Sequence, residues 1–133
     1  MPRLPSIAFA WLALLVAACS TTSGTGEPQT DIVGLPAPAP CRDESDWNEP
    51  TAPRHVFGNT WYVGSCGISA ILIASPEGHI LIDGATEQAA DGVASSIEAS
   101  GHALRDVRVI LNTHEHFDHA GGIARLQQLS GAQ

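Results

Sequence analysis

The hydrophobic pattern divides the chain into four stretches. Residues 7–18 form an unbroken apolar run, residues 21–40 carry no period, short β-forming runs begin near Arg54, and a helical period takes over after Thr86. Thr60 to Val63, Ser69 to Ala74 and His79 to Asp83 have strand composition, with Ser75-Pro76-Glu77-Gly78 as a turn between the last two. This order predicts a β-meander. Ile71-Leu72-Ile73 and Ile80-Leu81-Ile82 have no polar alternate, which predicts strands buried on both faces. Thr86 is placed to cap a helix in which Ala90, Val93, Ala94 and Ile97 recur at i, i+3, i+4 and i+7, and Gly101 suits its left-handed end. Val107 to Leu111 is a further apolar strand. Beyond it, Gly121-Gly122 permit a close backbone approach, and Ile123, Leu126 and Gln127 begin a helix that Gly131 closes.

Composition narrows this to one α/β domain. A chain of 133 residues has room for no more than that, and 44% hydrophobic against 15% charged residues is a globular balance. The net charge is −8 and every basic residue is an arginine, none of them clustered, so a nucleic-acid partner is excluded. Residues 1–18 are a signal peptide: Arg3 supplies the positive start, and the run Ile7 to Ala18 is too short to span a bilayer as a helix. Its end, Val16-Ala17-Ala18-Cys19, resembles a bacterial lipobox, which makes Cys19 a lipidation site and the membrane a partner through that anchor. Ser20 after the cysteine resembles an outer-membrane sorting signal, so a periplasmic, outer-membrane-anchored location is expected. The Thr-, Gly- and Pro-rich residues 19–40 then form a tether, extended where Pro36, Pro38 and Pro40 alternate with small residues.

Export sets the cysteine chemistry. With Cys19 assigned to lipid, Cys41 and Cys66 remain in an oxidising compartment and are expected to form a disulfide, since a metal-binding pair would need two more ligands nearby. The candidate chemistry lies elsewhere, in His114-Glu115-His116-Phe117-Asp118-His119, which holds half of the six histidines. Imidazole and carboxylate donors at this density suit a divalent first-row metal, zinc before others. On extended backbone, His114 and His116 point to one side and share a metal. Asp118 continues the alternation and His119 breaks it, so a turn can send both toward a second ion. Glu115 points away and is read as structural.

The His-x-His-x-Asp-His run, lying between a strand and a helix with Gly121-Gly122 behind it, resembles the signature of the metallo-β-lactamase superfamily. Trp47-Asn48-Glu49-Pro50, the stretch Gly58 to Gly64, Gly67-Ile68-Ser69 and Leu81-Ile82-Asp83 resemble, within it, the third subclass of class B β-lactamases. The resemblance covers residues 41–133 and implies the N-terminal half of an αβ/βα four-layer sandwich. It implies a cofactor of two zinc ions, with His114 and His116 on the first and Asp118 and His119 on the second. Asp118 would have a catalytic part as well, orienting the attacking water, and Asp83 would support the metal loop from behind the ligands. The implied reaction is hydrolysis of the β-lactam amide bond of an antibiotic substrate. A glyoxalase-II-like thioesterase and a non-catalytic tethered zinc-binding module remain the alternatives.

His55, His79 and His102 lack a ligand partner at suitable spacing and are expected at the surface. Trp47 and Trp61 are expected as core or interface aromatics, with the Trp47 region bordering the substrate cleft only by family resemblance. A complete member of the family is about twice as long and takes a third histidine for each zinc from its later half. The 133 residues are therefore expected to be an N-terminal fragment, inactive alone, with an uncovered apolar sheet face prone to self-association.

Overall fold

A computed structural model describes residues 40–133; the expected signal peptide, the expected lipidation site Cys19 and all of the expected tether but Pro40 lie outside the described residues. Five strands form one sheet in chain order: β1 (Arg54–Phe57), β2 (Thr60–Tyr62), β3 (Ile71–Ile73), β4 (His79–Ile82) and β5 (Val107–Leu111). The first four are an antiparallel meander, as the alternation of strand runs and turns predicts. Between β4 and β5 the chain passes through helix α1 (Ala90–Ala99) and a 3-10 turn (Leu104–Asp106), so β5 lies parallel to β4. A parallel neighbour requires such a crossover. A single turn α2 (Phe117–Ala120) and helix α3 (Ile123–Ser130) follow.

The core forms where α1 and α3 cover one face of the sheet. Leu72 and Leu81 are directly paired across β3 and β4, and with Val93, Ile97, Val107 and Leu126 they are fully buried in one cluster. Removing a leucine side chain of this size from water contributes about 1.5–3 kcal/mol. The two isoleucine-rich runs depart from the expectation of burial on both faces. Ile71, Ile73, Ile80 and Ile82, on the opposite pleat, are only half-buried, because both long helices pack on the leucine side. The periodicity of two is present in burial although it is invisible in residue type.

Element ends differ from the sequence expectations by a residue or two, except at three places. β1 is a strand that the sequence reading does not delimit: all four of its residues are exposed, Val56 and Phe57 included, so it lacks the alternation of a half-buried strand, and Gly58-Asn59, the two-residue connection to β2, marks it. Helix α1 starts after a turn rather than at Thr86, whose Oγ1 accepts the Ala89 amide at 3.1 Å. Within the histidine run, extended backbone ends at His116 (ψ 144°) and α2 begins at Phe117, so Asp118 does not continue the alternation. Gly101 and Gly131 take the left-handed conformation at φ 86° and 78°, as expected of helix ends.

The segment before β1 is held to the sheet from two sides. Cys41 and Cys66 are disulfide-bonded with their Cα atoms 5.3 Å apart, and the Cys66 amide donates to the Glu49 carbonyl at 2.9 Å. Further along the same segment, Asn48 Oδ1 accepts a hydrogen bond from the Thr86 hydroxyl. Among the histidines outside the run, only His55 is exposed as expected. His79 is 9% exposed, and His102 is half-buried against it at a ring-centroid distance of 5.2 Å, with Trp61 at 5.4 Å on its other side. These imidazoles pack edge-on at the end of the sheet away from the histidine run. Burial first, and then the proximity of His79, hold the His102 imidazole below the ordinary histidine range, against an opposing contribution from the Ser100 backbone.

Candidate metal centre

The carboxyl-terminal ends of β4 and β5 lie side by side, with Ile82 in register with Leu111. Loops at this edge of a parallel pair are where α/β folds place ligands. Here one loop supplies Asp83 and the other supplies Thr113 and the histidine run. Asp83 leaves its strand at φ 65°, and Ala85 follows at φ 57°; both are left-handed conformations uncommon outside glycine. That backbone reversal is clamped from the other loop. The Asp83 amide donates to Leu111, the Gly84 amide donates to the His119 carbonyl at 2.8 Å, and the Gly122 amide donates to the Ala85 carbonyl at 3.0 Å.

Gly122 is needed for this contact. A Cβ there would lie 2.1 Å from the Gly84 carbonyl oxygen and 2.8 Å from that of Thr86, both rigid backbone atoms. The close approach expected of Gly121-Gly122 is thus the docking of α2 and α3 onto the Asp83–Ala85 reversal.

Asp83 is 5% exposed, and its carboxylate is filled with donors. The Thr113 amide reaches Oδ1 at 2.8 Å, the Thr113 hydroxyl reaches Oδ2 at 2.9 Å, and His119 Nδ1 lies 2.8 Å from Oδ2. Burial alone would push this carboxyl up. The hydrogen bonds from His119 and Thr113, with the His119 charge, outweigh it and hold Asp83 below the usual carboxylate range. An ionised carboxylate only accepts, so Nδ1 of His119 carries a hydrogen, which leaves Nε2 as the nitrogen available to a metal. Nε2 lies 3.4 Å from an Asp118 carboxylate oxygen. A histidine whose second nitrogen is bonded to a carboxylate is the usual support of a metal-ligating imidazole.

The rings of His116 and His119 lie 4.7 and 4.0 Å from that of His114, so the three histidines are brought together. Asp118 joins them through His119, and Glu115 is exposed, away from them. Among the described residues, no three histidine, cysteine, aspartate or glutamate side chains already converge on one metal position. The donor set therefore fits zinc in kind, as pairs of ligands with carboxylate support rather than as a closed tetrahedral cage.

One neighbour of the run was not anticipated. Thr113 stands between Asp83 and His114, and its one sequence signal is a hydroxyl directly before a candidate ligand. Trp47, expected in the core or at an interface, is 52% exposed, with its ring 6.2 Å from that of Phe117, itself exposed at the start of α2. Trp61, by contrast, packs half-buried on the core as expected.

The strand–loop–helix that carries this donor run is also what comparison with known families picks out. The chain belongs to the metallo-β-lactamase superfamily, whose model matches residues 63–133. Among solved structures it is similar to MEM-A1, a subclass B3 metallo-β-lactamase isolated from a soil metagenome library, at 60% identity and TM-score 0.65 over 66% of this chain and 33% of that one. The metallo-β-lactamase SMB-1, solved in a complex with mercaptoacetic acid, is 55% identical with TM-score 0.66 over 67% and 35% of the two chains. The metallo-β-lactamase MIM-1 from Novosphingobium pentaromativorans is 53% identical with TM-score 0.64 over 65% and 32%. The chain thus spans about a third of the length of these structures.

Proposed function

We propose that the intact protein is a zinc-dependent hydrolase of the β-lactam amide bond, to which these residues contribute one half of the metal centre. The observation that carries this reading is the Asp83–His119 pair at 2.8 Å, which holds Nε2 of His119 beside Asp118 and the clustered rings of His114 and His116. The identity of 50–60% to metallo-β-lactamases such as MEM-A1, SMB-1 and MIM-2 favours β-lactams over thioesters as substrates. His114 and His116 hold one zinc, and Asp118 and His119 the other, with a third histidine for each ion drawn from the later part of the fold. When bound, zinc polarises a carbonyl and brings the pKa of water near neutrality. Asp118 accepts a hydrogen bond from the attacking water and orients it, while Asp83 keeps His119 in a single ring orientation.

The same reading places the protein in the periplasm as a lipoprotein anchored through Cys19, with residues 19–40 as the tether. The Cys41–Cys66 disulfide supports an oxidising compartment. The test is turnover of a penicillin, a cephalosporin and a carbapenem beside S-lactoylglutathione. β-Lactam hydrolysis that stops with a chelator and returns with zinc supports the proposal. Thioester hydrolysis without β-lactam turnover overturns it.

A further inference from the structure

The Asp83 carboxylate reaches a second histidine through Thr113. The Thr113 hydroxyl lies 3.0 and 2.9 Å from the two Asp83 oxygens, which can only accept, so its hydrogen is committed to Asp83. What Thr113 Oγ1 then offers to any third group is a lone pair. The nearer such group is His114, whose Nδ1 lies 3.0 Å away, against 3.4 Å for Nδ1 of His119, which already donates to Asp83. An imidazole nitrogen facing a lone pair must carry the hydrogen, which leaves Nε2 of His114 as its metal-facing atom. His119 takes the same tautomer by direct contact with Asp83.

From this geometry we infer that Thr113 is a positioning residue: its hydroxyl relays the acceptor character of Asp83 to His114, so that one buried carboxylate sets the tautomer of a ligand for each zinc. The backbone of Thr113 holds its place independently, since its amide donates to Asp83 Oδ1 at 2.8 Å whatever the side chain. The hydroxyl can therefore be removed with the loop still pinned. The inference rests on His114 and His119 being metal ligands, but the tautomer itself can be read without metal.

Thr113→Val keeps the β-branched shape and deletes the hydroxyl; Thr113→Ser keeps the hydroxyl. Long-range 1H–15N spectra of the histidine rings in the metal-free protein, and zinc affinity by chelator competition, are measured for both. In the parent and in T113S, His114 should carry its proton on Nδ1. In T113V it should lose that single tautomer, with zinc binding about tenfold weaker, the lower end of what loss of such a support costs. If the valine variant does not fold, Thr113→Ala provides the same comparison. A His114 that keeps the Nδ1–H tautomer without the hydroxyl overturns the relay, and so does a tautomer change that leaves zinc affinity intact. Should the parent itself bind no zinc while the tautomer responds as stated, the ligand assignment fails and the relay stands.

Discussion

Asp83→Asn isolates the carboxylate from everything else at its position. Asparagine tolerates the φ of 65° that Asp83 adopts, and it retains Oδ1 for the Thr113 amide at 2.8 Å. At the other oxygen an NH2 group replaces the acceptor 2.8 Å from His119 Nδ1, so two donors face each other. Loss of a hydrogen bond involving a charged group costs about 1.5–3 kcal/mol. The imidazole can escape by moving its proton to Nε2, but that consumes the lone pair that zinc requires. Either route weakens metal binding, and the loss should amount to about 10–100-fold, or about 1.4–2.7 kcal/mol. The assay is zinc competition against a chromophoric chelator, with circular dichroism to show that the fold persists. A D83N protein that is folded and binds zinc within about twofold of the parent would refute this reasoning.

Other consequences are more local. His102→Gln should flatten part of the acid dependence of stability. The folded imidazole resists protonation more than the unfolded one, so its stabilising contribution is present above the ordinary histidine pKa of about 6.5 and is lost as pH falls through its lower folded value. Urea midpoints between pH 5 and 7.5 check this, and identical slopes for parent and variant would contradict it. Leu81→Ala, at a fully buried site paired with Leu72, should lower stability by about 2–5 kcal/mol in equilibrium unfolding. Gly122→Ala should cost zinc binding as well as stability, because the methyl group meets the Gly84 and Thr86 carbonyls and pushes α3 off the Asp83 loop. Reduction of Cys41–Cys66, which are 25 residues apart, should lower stability by about 3 kcal/mol in equilibrium unfolding, with the Trp47 segment still held through Asn48 and Glu49.

What was legible in the sequence was local in origin. The histidine run and the glycines at 101, 121, 122 and 131 announce themselves because each depends on its own residue type and near neighbours. The meander was legible from turns and strand composition. The burial of its faces was not, because isoleucine and leucine look alike until helices are placed on one side. His79 and His102 depart from the expected surface position for a related reason: the edge-on contacts of His102 with Trp61 and with His79 join segments distant in sequence. The Trp47–Phe117 contact and the Thr113 bridge join loops far apart in sequence, and no single-strand or single-helix pattern encodes them.

The central assignment is tested most directly by crystals of the intact protein grown with zinc and measured on either side of the zinc absorption edge. Two anomalous peaks are expected at the ends of β4 and β5, one beside His114 and His116 and one beside Asp118 and His119. Nε2 of His114 and of His119 should face metal, with Asp83 remaining on the Nδ1 side of His119. Zinc bound elsewhere with the histidine run empty, or a His119 that faces metal through Nδ1, would contradict the assignment.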